Sequence, residues 1–335
     1  MKEYDVFGIG SALMDFLIEI EEDKIIEMDL KKGEMQLIDE EKSKELLKKL
    51  KEYSVKTAPG GSSANTLAGI ASLGGNVVFC GKVGNDPHGE IYEQKSKDCG
   101  VCTRISRHPE KLTGHAITFI TPDSERTFAT HLGAAMHLAE EDVFEEDIAK
   151  SKILHIEGYQ LEDPKLRKTA LHAMGIAKKN KTMISIDIAD PGLVKRNLED
   201  LKNIIKEHAD IVFANEQEAS AFTGKEDSTE ALEEISKFCQ IAIVKIGKDG
   251  SLIKQKKKVE ESKESPIIKI PPFTVNAVDT TGAGDMYAAG VLFGIAKNLP
   301  LERAGKIGSW AASKVVAQIG ARLSICLKDE IENLK

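Results

Sequence analysis

The sequence is poor in cysteine, and the few cysteines it has are scattered. Five cysteines occur in 335 residues, and an odd number without regular spacing predicts free thiols in a reducing cytoplasm rather than a disulfide framework. Cys99 and Cys102 have the C-x-x-C spacing of a redox or metal site. Because no second pair accompanies them, ordinary structural thiols are the favoured interpretation.

The chain also lacks a long hydrophobic run and an excess of basic residues. No apolar stretch reaches the length of a membrane helix, and the first residues show no signal-peptide pattern. We therefore expect a cytoplasmic protein without a membrane partner. The formal net charge of −8 argues against a nucleic-acid partner. A hydrophobic fraction of 41% in 335 residues allows one large domain or two smaller ones with an ample core.

A glycine-led segment near the C-terminal end has the character of an anion-binding loop. Residues 279–285 read DTTGAGD and pass directly into an alanine-rich apolar run, a pattern typical of a helix start. The unpaired backbone N–H groups of such a start favour a phosphate. A carboxylate beside that phosphate, here Asp285, can orient or deprotonate an attacking hydroxyl. The alternative is that Asp285 only pairs with the helix dipole.

A second glycine-led helix start lies early in the chain. Residues 60–65 read GGSSAN, in which the glycines allow a ligand to approach and Asn65 can both donate and accept hydrogen bonds. Asp15 follows the first buried strand, at the sheet edge where open α/β folds bind ligands. Asp15 and Asn65 together suit the vicinal hydroxyls of a sugar. The alternatives are a turn role for Asp15 and a tightly packed helix capped by Ser62.

The pattern of strands and helices changes along the chain. Two stretches, about residues 16–38 and 101–130, contain short strands outside any parallel rhythm, and we expect them to form a small separate sheet. From residue 152 onward strands and helices alternate regularly, which predicts a parallel sheet covered by helices on both faces. Asn215 and Glu218 follow one of these strands. Acidic groups at this position suit hydrated magnesium, or alternatively they pair with a helix dipole.

A nicotinamide-dependent oxidoreductase is a competing interpretation of the N-terminal strand. Gly8 and Gly10 begin a G-x-G-x-x-G pattern after a buried run, but Leu13 replaces the third glycine. The complete pattern would place a dinucleotide pyrophosphate at the start of the following helix. The missing glycine counts against this class, which also predicts cofactor reduction with no need for ATP or magnesium.

The two glycine-led segments, in this order and about two hundred residues apart, resemble the two signatures of the PfkB (ribokinase-like) family of carbohydrate and nucleoside kinases. The resemblance covers essentially the whole chain as a single domain, residues 1–335. It implies a three-layer α/β/α ribokinase-like fold with a mostly parallel central sheet and a small β-sheet lid, built from about residues 16–38 and 101–130. It also implies phosphorylation of a primary hydroxyl with ATP and Mg²⁺, by a monomer or homodimer.

The resemblance assigns roles to individual residues. Asp285 matches the catalytic base, and the anion hole matches Gly282, Ala283 and Gly284. The residues assigned to the acceptor are Asp15, Gly60, Gly61, Ser62, Asn65, Arg126 and Tyr159. Those assigned to ATP and its phosphates are Asn215, Lys245, Gly247, Gly250 and Thr280. The cation sites are magnesium through water at Glu218, and a monovalent cation such as potassium at Asp279 and Thr281.

Within the family, residues 13–15, 30–35 and 210–216 are most similar to the adenosine kinase branch, so adenosine is the favoured acceptor. Two departures bear on this choice. Tyr159 is followed by glutamine where eukaryotic members have a second aromatic residue, and Lys245 replaces a threonine that is common before the glycine turn. The alternatives are a ribokinase- or fructokinase-type sugar kinase and a non-catalytic nucleotide-binding regulator. The intact carboxylate at position 285 argues against the regulator.

Overall fold

The computed structural model describes residues 2–33, 35–123, 125–256, 265–323, 325–332 and 334, without the side chain of Arg126. The strands are β1 (Tyr4–Ile9), β2 (Leu13–Glu19), β3 (Met35–Leu37), β4 (Lys56–Pro59), β5 (Val77–Gly84), β6 (Cys102–His108), β7 (Gly114–Ile120), β8 (Arg126–His131), β9 (Ser151–Glu157), β10 (Met183–Asp187), β11 (Ile211–Asn215), β12 (Ile241–Lys245), β13 (Ser251–Gln255) and β14 (Ile268–Ile270). The α-helices are α1 (Glu22–Glu27), α2 (Glu40–Lys49), α3 (Ser62–Ser72), α4 (Pro87–Asp98), α5 (Glu145–Ala149), α6 (Pro164–Lys179), α7 (Pro191–Arg196), α8 (Leu198–His208), α9 (Glu216–Thr223), α10 (Ser228–Ile235), α11 (Ala283–Ala296), α12 (Leu301–Val316) and α13 (Lys328–Ile331).

Nine strands form one large sheet, in the order β14-β13-β12-β11-β10-β9-β1-β5-β6. The strands from β12 to β6 run parallel, whereas β13 and β14 are antiparallel additions at one edge. Most of the parallel strands are almost completely buried apolar runs, which are typical of strands covered on both faces. The mostly parallel central sheet expected from the alternation of strands and helices is therefore confirmed.

Helices cover both faces of the large sheet and give the fold three layers. Neighbouring residues of β1 point into opposite cores: Val6 packs in the core that contains α3, α11 and α12, and Phe7 in the core that contains α6 and α8. On the first face, α3 and α11 pack so closely that a Cβ on Gly69 would lie 2.7 Å from the Cβ of Ala289. Among the described helices, none has the length and apolar character needed to span a membrane.

A second sheet, which we call the lid sheet, has the order β3-β8-β7-β2-β4. Residues 10–12 join β1 of the large sheet directly to β2 of the lid sheet. Strands β7 and β8 form the expected antiparallel hairpin. The buried side chains of the lid sheet, such as Phe16 and Phe119, belong to the same core as α3 and α11. The lid sheet is therefore packed continuously with one helical layer of the large sheet.

One expected part of the lid sheet lies elsewhere, and one part was not foreseen. Residues 102–108 form β6, which pairs in parallel with β5 at the edge of the large sheet. Every side chain of β6 is at least partly exposed, so this edge strand lacks the buried apolar run that marks its neighbours in the sequence. Conversely, β4 belongs to the lid sheet and pairs with β2. The boundary of 101–130 is thus wrong at its start, while β7 and β8 agree with it.

Candidate active site

The first turn of α11 holds Asp285 where two helices meet. Asp285 is the third residue of α11, and its carboxylate accepts hydrogen bonds from two residues of α3. Ser62 Oγ donates to Oδ1 at 2.7 Å, and Asn65 Nδ2 donates to Oδ2 at 3.0 Å. Burial raises the pKa of Asp285, while these two hydrogen bonds act in the opposite direction. The two glycine-led segments of the sequence therefore converge on one carboxylate.

The turn before Asp285 has both the shape and the donors of an anion site. Gly282 has a φ of 76°, and a Cβ there would lie 2.7 Å from Ala321, so the position requires glycine. The backbone N–H of Ala283 donates to Thr280 O at 3.2 Å. Among the described residues, the N–H groups of Gly282, Gly284 and Asp285 have no acceptor. The available donors of the predicted anion hole are thus those at 282, 284 and 285, and Ala283 contributes shape.

Asp15 lies in β2 with the glycines of the first segment packed against it. Gly60 N donates to Leu13 O at 2.7 Å, and a Cβ on Gly60 would lie only 2.4 Å from Asp15 Oδ2. Gly61 has a φ of 91° and precedes the first residue of α3. Burial raises the pKa of Asp15 to about 7; Arg322 opposes this increase and Asp285 adds to it. The carboxylates at 15 and 285 therefore share one electrostatic environment.

A cleft of about 890 Å³ opens beside Asp285. This volume is in the range of small-molecule and cofactor sites. Among the residues predicted from the sequence, those lining it are Ser62, Tyr159, Asn215, Glu218, Lys245, Gly247, Gly250, Thr280, Ala283, Gly284 and Asp285. Apolar groups of Phe273, Val275 and Val316 line it as well, and suit a flat ring. Asp15 and Asn65 do not line the cleft. Asn65 is instead connected to it through its hydrogen bond to Asp285.

Lys245 ends β12 within this cleft and is held by acidic neighbours. Its Nζ donates to Asp187 Oδ2 at 2.9 Å, and a Cβ on Gly284 would lie 3.3 Å from the same nitrogen. Burial alone would lower the pKa of Lys245, but the charges of Asp187 and Glu218 outweigh it and the pKa is raised. A positively charged ammonium group therefore lies next to the backbone turn that precedes Asp285.

Asn215 and Glu218 form a reciprocal cap at the start of α9. Asn215 Oδ1 accepts from Glu218 N at 2.9 Å, and Glu218 Oε2 accepts from Asn215 N at 2.7 Å. Asn215 Nδ2 also donates to Glu218 Oε1 at 2.6 Å. Burial and the nearby charge of Asp187 raise the pKa of Glu218 to about 7. The spacing that suggested a phosphate and magnesium motif thus has a structural role as well, and both residues face the cleft.

Asp279 ties two loops together behind Gly282. Its Oδ1 accepts from Thr281 N at 2.9 Å, and its Oδ2 accepts from Gly320 N at 2.8 Å. The side chain is almost fully buried, and a buried carboxylate needs such donors. The loop of residues 279–282 is therefore fixed against the segment that follows α12.

The sequence of this chain matches a family of known proteins over most of its length. Residues 28–327 match the family described as pfkB family carbohydrate kinase. The chain belongs to the PfkB family of carbohydrate kinases. A 5-dehydro-2-deoxygluconokinase of Listeria monocytogenes is 27% identical over 286 residues, which are 82% of this chain and 86% of the relative.

Two solved structures resemble this PfkB kinase over nearly the whole chain. The adenosine kinase of Sinorhizobium meliloti has a TM-score of 0.88 and 33% identity, with 99% of this chain and 100% of that chain covered. A probable sugar kinase from Rhizobium etli CFN 42 has a TM-score of 0.89 and 31% identity, with 99% of both chains covered. The expected ribokinase-like fold and kinase class are thereby confirmed.

Three residues of this PfkB kinase belong to the site although the sequence patterns did not single them out. Asp187 ends β10 and lines the cleft; its place at the carboxyl end of a parallel strand was an available signal. Glu157 ends β9, and its buried carboxylate accepts hydrogen bonds from Ser11 N at 2.7 Å and Ser63 N at 2.9 Å. Arg322 reaches Asn65 from the C-terminal segment, and no local sequence pattern predicts this contact.

Within the described ranges, no group of three or more His, Cys, Asp or Glu side chains is arranged to hold a metal ion. Asp187 and Glu218 nevertheless give the kinase two carboxylates beside the cleft, a donor set that fits Mg²⁺ bound mainly by water and phosphate. Arg126 begins β8, and its side chain lies outside the described part of the chain.

Proposed function

We propose that this kinase transfers the γ-phosphoryl group of ATP to a primary hydroxyl of a nucleoside or sugar, with adenosine as the favoured acceptor. The observation that carries the proposal is the position of Asp285. Its carboxylate borders the large cleft and is hydrogen-bonded by Ser62 and Asn65 from the acceptor side. A carboxylate between donor and acceptor can remove the proton of an attacking hydroxyl.

The proposed reaction begins with proton removal by Asp285. The acceptor oxygen forms a bond to the γ-phosphorus, the bond between that phosphorus and the ADP oxygen breaks, and the hydroxyl proton goes to the Asp285 carboxylate. The hydrogen bonds from Ser62 and Asn65 hold the carboxylate in place, and its raised pKa makes it a better proton acceptor than an exposed aspartate. Asp15 would hold the acceptor through hydroxyl hydrogen bonds.

The donor side supplies positive charge for the transferred group. Lys245 Nζ lies near the Gly284 turn. The N–H groups of 284 and 285, which have no acceptor within the described part of the chain, are suited to the negative charge that develops during transfer. When bound, Mg²⁺ would neutralise further charge on the phosphates, and Asp187 and Glu218 would hold it through water. Both roles are electrostatic and need no covalent intermediate.

The choice of adenosine rests on similarity and on one aromatic side chain. The adenosine kinase of Sinorhizobium meliloti is 33% identical to this chain, and Tyr159 lies at the cleft with 39% of its surface exposed, available to stack on a base. The next residue, Gln160, is buried and donates to Ser11 Oγ at 3.1 Å. Position 160 therefore supplies no second aromatic ring for stacking on a base, which counts against adenosine. The second candidate is therefore a sugar acceptor, as for the Listeria relative.

The test is a coupled assay of ADP release with adenosine, other nucleosides, ribose, fructose and 5-dehydro-2-deoxygluconate, in the presence of MgATP. We expect the highest kcat/KM with adenosine, and formation of a phosphomonoester in proportion to ADP. Tyr159→Ala should raise the KM for adenosine about tenfold and leave that of any sugar substrate unchanged. No phosphorylation of any of these acceptors would contradict the proposal, and a clear preference for a sugar would select the alternative.

The proposal also includes a monovalent cation and a cellular compartment. We propose that activity depends on a monovalent cation bound at the loop that contains Asp279 and Thr281. Replacing potassium by tetramethylammonium should then lower kcat. Unchanged kcat across both salts at equal ionic strength would exclude this dependence. The proposed compartment is the cytoplasm, in agreement with cysteines that are all free thiols.

A further inference from the structure

Arg322 makes an unusual set of contacts for a residue so near the end of the chain. Its Nε donates to Asn65 Oδ1 at 2.9 Å, its Nη2 to Gly60 O at 3.2 Å, and its Nη1 to Ser96 Oγ at 3.4 Å. The guanidinium carbon also lies 5.9 Å from the centre of the Tyr92 ring. One side chain therefore joins the C-terminal segment to α3, to α4 and to the turn at Gly60.

The bond from Arg322 fixes the orientation of the Asn65 amide. Arginine can only donate hydrogen bonds, so the atom of Asn65 that faces Arg322 must be the carbonyl oxygen. The NH₂ group of Asn65 is thereby directed at Asp285 Oδ2, to which it donates at 3.0 Å. With the amide reversed, its oxygen would face the carboxylate and the bond would be lost. The orientation of Asp285 thus depends on a residue that does not touch it.

The same guanidinium contributes positive charge on the acceptor side. Asp15 and Asp285 are both half-buried carboxylates, and the charge of Arg322 acts on the pKa of Asp15 in the opposite sense to that of Asp285. Gly60, which packs on the Asp15 carboxylate, accepts a hydrogen bond from Arg322. Arg322 is therefore connected to both carboxylates through one neighbour each.

We propose that Arg322 is a positioning residue of the acceptor site, which fixes the Asn65 amide against Asp285 and adds positive charge near Asp15. This inference rests on the proposed function for the roles of those two carboxylates. A lysine could supply the charge but not the same directed bonds, because the planar guanidinium holds its donors in fixed directions. Charge and geometry can therefore be separated by substitution.

The test compares Arg322→Met, Arg322→Lys and Arg303→Met with the wild-type chain. Arg303 is a matched control because it is also half-buried and donates to the C-terminal segment, at Ile331 O over 3.3 Å, away from the acceptor residues. For Arg322→Met we expect kcat/KM for the acceptor to fall on the order of 10- to 100-fold, while MgATP affinity by calorimetry changes less than twofold. Arg303→Met should retain the wild-type kinetics.

The pH profile separates the two effects of Arg322. In Arg322→Met the acidic limb of kcat/KM should move to higher pH, because Asp15 loses the positive charge that favours its ionised form. In Arg322→Lys that limb should stay near its wild-type position while kcat still falls. Equal losses of acceptor and MgATP binding, an unchanged kinetic profile in Arg322→Met, or the same limb shift in both variants would each overturn the proposal.

A second measurement does not depend on the acceptor or on the reaction. The side-chain NH₂ signal of Asn65 in the ligand-free protein can be followed by NMR and assigned by its loss in Asn65→Asp. We expect this signal to shift or broaden in Arg322→Met and to stay unchanged in Arg303→Met. If wild-type protein phosphorylates nothing but the signal responds, the proposed function fails and the positioning role stands. An unchanged signal in Arg322→Met, with the fold verified by circular dichroism, overturns the positioning role.

Discussion

The Asp15 carboxylate should make the ligand-free protein less stable as the pH rises. Burial raises its pKa from 3.8 to about 7 in the folded state. Between these values the folded protein holds a proton that the unfolded chain has released. The free energy of unfolding should therefore decrease as the pH rises from about 4 to about 7, and the full destabilisation should be present above that range.

The size of this effect follows from the two pKa values of Asp15. They differ by about three pH units, and at about 1.4 kcal/mol for each unit the upper limit is about 4 kcal/mol. The residue is half-buried rather than fully enclosed, so water screens part of the effect and we expect about 2–4 kcal/mol. An effect of this size is a large part of the stability of a typical domain.

The assay is urea denaturation of the wild type and Asp15→Asn at pH 5, 6, 7 and 8 and constant ionic strength. The variant should gain stability relative to the wild type as the pH increases. Asp5→Asn is the control, because the folded protein lowers the pKa of Asp5 but raises that of Asp15. Although burial opposes it, the hydrogen bonds from Lys297 and Lys152 lower the pKa of Asp5, so this variant should be destabilised by a constant amount across the range. A stability difference for Asp15→Asn that does not change with pH would show that folding does not raise the pKa of Asp15.

Two further substitutions test the acceptor and donor sides separately. Gly60→Ala places a Cβ 2.4 Å from Asp15 Oδ2, so it should raise the acceptor KM at least tenfold and leave MgATP binding unchanged. Gly175 has open space around it, and the control Gly175→Ala should behave as wild type in the same assay. Lys245→Met should lower kcat about 100- to 1,000-fold, because positive charge at the transferred group is lost. Lys248 is an exposed residue of the same cleft, and the control Lys248→Met should keep the wild-type kcat. A Lys245→Met enzyme with unchanged kcat would remove that lysine from the donor site.

The sequence was sufficient for features that have a local signal. Both helix starts could be placed because a glycine-rich break precedes each apolar run, and each helix begins directly after a glycine with positive φ, Gly61 or Gly282. The parallel sheet followed from the periodic alternation of buried strands and helices. The edge strand β6 was assigned to the wrong sheet because a half-exposed strand carries little of the apolar pattern that distinguishes one sheet from another.

Long-range contacts could not be predicted in the same way. Arg322 meets Asn65 across 257 positions of the chain, and nothing within either neighbourhood encodes that pairing. Asp187 and Lys245 lie at the ends of two strands that are separated in the sheet by β11. Their ion pair depends on the strand order, which the sequence pattern alone does not fix. Local chemistry thus indicated which groups belong to the site, and topology determined how they are arranged.

Asp285 is proposed to accept the proton of the acceptor hydroxyl between two bound substrates. The most direct measurement is a single-turnover experiment with Asp285→Asn, saturating MgATP and the best acceptor, together with calorimetric titration of each ligand. We expect a loss of about 100- to 10,000-fold in the rate of phosphoryl transfer, with both ligands still bound. Transfer at the wild-type rate by this variant would show that Asp285 is not the base.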